Sequence, residues 1–294
     1  MLRRTRITSC NAVSPKLGQL YTHFIHIQAS LMTADGISAS SAVSFVREAL
    51  AGGLAIRLFG SVAVWWRCPQ GRDRFERLRD RPIRDIDLVG LLRDKATVER
   101  FFQEHGWVID QDVARIPGAK YSLLYLVDRR RVWSRCDVHY NSLDFCHSID
   151  MRKRLLVDEL TIPLAELVLS KLQVRAMTSV DDFDVKTILL EHDAQPADGN
   201  HVNTFVFASR CGADWGLQTT VRDNLNRLRA NVATDAQLTA AQRAEVIARL
   251  HELDASAKRG RRTLRWRLRG VIGRRMQWGE EVDPVGLAVG DSVH

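Results

Sequence analysis

Apolar residues recur through residues 38–51 at Ala42, Val43, Phe45, Val46, Ala49 and Leu50, a helical spacing that Gly52-Gly53 brings to a stop. Residues 54–59 form a short apolar run of the kind a buried strand carries, ending at Gly60-Ser61. Residues 67–84 are polar and highly charged and contain Pro69, Gly71 and Pro82, which predicts a loop with at most a short helix over 73–79. Polar and apolar positions then alternate through Asp85, Ile86, Asp87 and Leu88, predicting a strand over 84–91. Residues 95–105 have a helical period closed by Gly106, and residues 121–127 and 132–140 read as two strands of a hairpin. The predicted product is a mixed sheet with helices on it. From Pro163 the period changes. Leu164, Leu167, Val168, Leu172 and Val174 predict a helix over 164–177, and residues 183–192, 219–232, 240–258 and 264–276 read as further helices. The expectation is an α+β chain: a sheet domain over 1–160, its first 31 residues partly ordered, then a mainly helical domain over 161–294 with the boundary at 158–163.

Asp85 and Asp87 are the sharpest chemical signal. Residues i and i+2 of a strand share a face, so both carboxylates project together while Ile86 and Leu88 enter the core. Adjacent like charges need a countercharge, and an all-oxygen donor set selects a hard dication, Mg²⁺ or Mn²⁺. Asp137, on the later strand, completes a three-carboxylate cluster if the two strands are neighbours. Two cations held there could activate an attacking oxygen and stabilise a departing pyrophosphate. Gly60-Ser61 belongs with the acids, because a strand-end glycine lets backbone N–H groups approach phosphate and the serine adds a hydroxyl donor. The bland alternative puts all three acids in surface turns, but the apolar neighbours Ile86, Leu88, Val89, Cys136 and Val138 argue against it.

A strand-end Gly-Ser, a following Asp-x-Asp and a third acid on a later strand resemble the DNA polymerase β-type nucleotidyltransferases over residues 54–140. The resemblance implies a nucleotidyltransferase-type sheet and transfer of a nucleoside monophosphate from an NTP. Gly60, Ser61, Asp85, Asp87 and Asp137 are the matching positions. The stretch between Ser61 and Asp85 is longer than in that pattern, through residues 65–84; it is read either as a substrate loop or as displacing the phosphate seat. A second resemblance runs from Ile162-Pro163-Leu164-Ala165-Glu166-Leu167 through Leu169-Ser170-Lys171-Leu172-Gln173 to Asp181-Asp182-Phe183-Asp184. These segments look like the helical part of abortive-infection-type nucleotidyltransferases, many of them toxins of toxin–antitoxin pairs. That likeness implies Lys171 contacting nucleotide phosphates, Asp181 or Asp184 positioning a base or the lysine, and an antitoxin protein as partner. The plain alternatives are a solvated lysine and a helix-capping aspartate.

Charge extends the picture to a second partner. The chain of 294 residues carries +8 overall, and no acid falls between Lys258 and Arg275 while nine basic residues do. Beside Trp266 and Trp278 this is a candidate RNA-backbone track, or equally a solvated face with arginine stems packed on the body. Five cysteines without a C-x-x-C pair imply reduced thiols. Cys136, His139, Cys146 and His147 match no zinc spacing, and the two histidines read as packing or surface residues. No apolar run is long enough to span a membrane, and no apolar stretch of signal-peptide type follows the basic start, so the expected location is the cytoplasm. The predicted activity is therefore metal-dependent nucleotidyl transfer to RNA such as a tRNA 3′ end, to a protein or to a small-molecule hydroxyl. The rivals are a non-catalytic RNA- or partner-binding module on the same fold, and a hydrolase using the same acids.

Overall fold

The computed structural model describes residues 32–33, 36–73, 77, 83, 85–128 and 131–279. Helix α1 (Ala39–Ala51) begins at Ser38, whose hydroxyl accepts the Ser41 N–H at 3.1 Å. Strand β1 (Ile56–Phe59) is buried along its length, and helix α2 (Gly60–Arg67) starts directly from its end. Strand β2 (Asp85–Gly90), helix α3 (Lys95–Glu104), strand β3 (Trp107–Ile109) and the hairpin β4 (Tyr121–Asp128) and β5 (Arg131–Tyr140) are the other main elements of the first half.

The five strands form one mixed, open sheet in the order β1-β2-β5-β4-β3. Only the central pair β2–β5 is parallel; the others run antiparallel. Ile86, Leu88, Cys136 and Val138 alternate into the core and are fully buried, which turns the intervening aspartates to the opposite face.

The join to the helical half is itself part of the sheet's edge. The Leu58 N–H donates to Leu160 O and the Ile162 N–H donates to Leu58 O, both at 2.9 Å, so residues 160–162 run parallel to β1 before Pro163 opens helix α4 (Leu164–Leu172). Helices α5 (Ser179–Glu191), α6 (Thr204–Ala213), α7 (Trp215–Ala233), α8 (Ala240–Arg259) and α9 (Leu264–Ile272) follow. Buried side chains from both halves join one hydrophobic core.

Several elements depart from the sequence pattern for local reasons. Gly60-Ser61 is the first turn of a helix rather than a plain strand-ending turn. The helix expected over 164–177 stops at Leu172, where the Asn224 side-chain amide donates to both Leu172 O and Val174 O at 2.8 Å and takes the terminal carbonyls. Helix α5 begins four residues earlier than its apolar period suggests, because Thr178 and Asp181 form a capping box. Strand β3 and helix α6 were not anticipated; α6 buries little beyond Phe207, Cys211 and Gly212. The first 31 residues, most of segment 73–79 and Arg84 lie outside the described residues. Among the described residues no helix is long and apolar enough to cross a membrane.

Candidate active site

Asp87 and Asp137 are direct partners across the parallel β2–β5 ladder, and Asp85 faces Arg135 two residues away. Acids 50 residues apart in sequence therefore meet on one face. On the other side of β2, Asp87 pairs with Phe59, the last residue of β1. This brings Gly60 so close that a Cβ at position 60 would fall inside the Asp87 carboxylate. Gly60 also has φ +66°, a left-handed conformation that other residues adopt only with strain. Two independent constraints thus require glycine there.

The helical half contributes a lysine and two more acids. Lys171, in the last turn of α4, holds Asp184 Oδ2 at 2.9 Å and Asp181 Oδ1 at 3.2 Å. The Ser61 hydroxyl donates to the same Asp184 oxygen at 2.9 Å. Asp184 is fully buried, and its Oδ1 has no hydrogen-bond partner. Asp181 serves twice, since its Oδ2 accepts the Thr178 N–H at 3.1 Å and the Thr178 hydroxyl at 2.8 Å while Oδ1 meets the lysine.

These charges set one another's titration. Burial, then Asp87 and Asp85, push the Asp137 carboxyl up to about 9, although the Arg135 guanidinium lies 2.7 Å from its Oδ1. Asp87 is raised as well, by burial first and then by Asp85, with Lys171 and Arg135 opposing. Burial opposes the charge on Lys171, but Asp184 and Asp181 outweigh it and its pKa rises. Asp181 is depressed, because Lys171 and the bonds from Thr178 outweigh its burial. The charges of Lys171 and Asp184 act on Asp87, so the two clusters form one electrostatic unit bridging both halves of the chain.

All eight residues singled out from the sequence (Gly60, Ser61, Asp85, Asp87, Asp137, Lys171, Asp181 and Asp184) belong to this unit. Arg135 was missed. The available signal was its position two before Asp137, on the same strand face. Its ion pair with Asp137 also bears on cation binding. Among the described residues, no three His, Cys, Asp or Glu side chains stand close enough to grip a metal as they are. The donor chemistry nevertheless fits a hard dication: the Asp87 and Asp137 carboxylates are paired in register and both pushed up in pKa, so Arg135 and Lys171 offset their charge only in part. Asp85, Asp87 and Asp137 would hold it, with Arg135 giving up its hold on Asp137.

The other candidates resolve simply. His139 lies among the rings of Phe59, Tyr121 and Phe145, and burial lowers its pKa to about 4. His147 is buried with a ring nitrogen 2.9 Å from the Thr220 hydroxyl. Cys136 and Cys146 are buried free thiols. At the start of the 65–84 stretch, Trp65–Arg67 completes α2, and the turn that follows is tied to Glu191 of α5 through the Gln70 N–H at 3.2 Å. Comparison with models of protein families finds no match, and comparison with curated proteins finds none either.

Proposed function

We propose that this protein is a metal-dependent nucleotidyltransferase of the DNA polymerase β-type superfamily, moving a nucleoside monophosphate from an NTP to an acceptor hydroxyl. The observation that carries this reading is the register Asp87–Asp137 with Gly60 packed against Asp87 and Ser61 tied to the Asp184–Lys171 pair. Mg²⁺ or Mn²⁺ bound by Asp85, Asp87 and Asp137 supplies charge neutralisation at the phosphates. The residues of the chain do the rest. The N-terminus of α2, with no side-chain cap, offers its N–H groups to phosphate oxygens, and the Ser61 hydroxyl, which donates to Asp184 without ligand, would have to turn from it to join them. Lys171, fixed by Asp184 and Asp181, presents a positioned positive charge. Asp137 takes the acceptor proton as the hydroxyl oxygen bonds to the α-phosphorus and the α–β phosphoanhydride bond breaks, releasing pyrophosphate.

The net positive charge of segment 258–275 is the one feature that speaks for RNA as the acceptor; a protein or small-molecule hydroxyl is the alternative, and a toxin role with an antitoxin partner accompanies the abortive-infection resemblance. The test is incubation of the protein with α-labelled NTPs, Mg²⁺, total RNA and total protein. Label in a macromolecule that disappears in Asp87→Ala supports transfer. Unchanged RNA binding without transfer supports a second reading, which the Arg135–Asp137 ion pair favours: the acids are neutralised by protein cations, and the fold serves as a binding module. RNA or nucleotide breakdown without added NTP would indicate the hydrolase.

A further inference from the structure

Helix α9 is mounted with its aliphatic face outward. Leu264, Leu268 and Val271 follow one helical stripe and are 73, 63 and 83% exposed, with Ile272 at its edge. The opposite face carries Gly270, where an added Cβ would lie 3.2 Å from the Trp215 ring. A soluble helix normally turns its leucines the other way, so this orientation needs a cause.

The mounting is rigid. Thr263 donates its N–H to Gly212 O at 3.1 Å and its hydroxyl to Ala213 O at 3.0 Å. Gly212 and Gly260 sit backbone to backbone, so close that a Cβ on Gly260 would collide with the Ala208 carbonyl oxygen. Arg269 ties the far end to the Gly273, Met276 and Gln277 carbonyls at 2.7–3.1 Å. Beside the stripe lies a groove of about 560 Å³, lined by Leu264, Leu268 and Ile272 of α9 together with Trp215 and Trp278. Arg265 and Arg267 flank the stripe, and nine Lys or Arg residues with no acid fall between 258 and 275. Asp214, in the groove wall, is turned to cap α7 through the Leu217 N–H at 2.9 Å.

We infer that this face docks an acidic amphipathic helix of a partner protein, its apolar side on the Leu264–Leu268–Val271 stripe and groove, its carboxylates on the flanking arginines. Charge complementarity selects an acidic occupant. The groove beside the ridge matches interdigitating side chains better than a flat bilayer. The exposed groups are aliphatic, and the tryptophans already carry guanidinium groups (Arg262 at 4.3 Å from the Trp266 ring centre, Arg269 at 5.0 Å from Trp215), so stacked nucleobases are the poorer fit. The inference does not depend on the transferase reading.

The test uses the full chain and a fluorescein-labelled peptide of glutamates with leucines at i, i+4 and i+7. Its comparators are the same peptide scrambled, an oligouridylate, and vesicles of phosphatidylcholine with phosphatidylglycerol. Fluorescence anisotropy should give peptide binding that falls about tenfold or more on scrambling and in Leu268→Glu/Val271→Glu, with the melting curve unchanged because both residues are exposed. Arg265→Glu/Arg267→Glu should weaken the acidic peptide and favour its lysine counterpart. Equal binding of the scrambled peptide, no loss in either double variant, tighter binding of oligouridylate or vesicles, or self-association through this face would overturn the proposal.

Discussion

Gly60 carries more constraint than any other residue of the site, being pressed against Asp87 and held at positive φ. Gly60→Ala should destabilise the fold by about 1–3 kcal/mol and abolish transfer, read from a thermal melt and from the labelling assay; retention of both would mean Asp87 has room to move. Asp137 gives a pH signature. In the metal-free protein its folded pKa lies above its unfolded value, so its contribution to stability is complete at low pH and drains away as pH rises toward about 9. Wild-type stability should therefore decline across that window, Asp137→Asn should decline less, and Mg²⁺ should stabilise the wild type more at high pH than at low. Thermal melts over a pH series check all three.

At the scale of elements, the ion-paired cluster between α4 and α5 is the decisive joint. Lys171→Met leaves Asp184 buried without its cation, and we expect a loss of about 3–5 kcal/mol, partly recovered in Lys171→Met/Asp184→Asn. Additive losses in denaturant titrations would show that the two side chains do not act as a pair. Elements also show what was legible in the sequence. Strands β2 and β5 announced themselves because one face of each is apolar and the other polar, with both acids of β2 and the one acid of β5 on that polar face, which also revealed Asp85, Asp87 and Asp137. Helix α6 did not, since only Phe207, Cys211 and Gly212 are buried and they make too sparse an apolar stripe to read, and strand β3 did not, since it has only three residues. The true ends of α4 and α5 were set by Asn224 and by a capping box, contacts that the apolar period does not encode. Arg135 was readable by strand parity, yet its bond to Asp137 depends on a side-chain orientation that parity does not supply.

Across the whole molecule, the site is shared: the sheet half brings the carboxylates and Gly60-Ser61, the helical half brings Lys171, Asp181 and Asp184, and the edge segment 160–162 joins them. A ligand spanning both sets should raise the melting temperature of the chain as one transition in proportion to ligand concentration. Two separate transitions, with only one shifted, would show that the halves respond independently. The central proposition, that Asp85, Asp87 and Asp137 share cations beneath the Gly60 turn, is tested most directly by titrating Mn²⁺ into the protein with a non-hydrolysable NTP and following the free ion by electron paramagnetic resonance. Nucleotide-dependent Mn²⁺ binding in the wild type, lost in Asp87→Asn and in Asp137→Asn, is the expected result. Equal Mn²⁺ uptake by all three proteins, or none by the wild type, would contradict it.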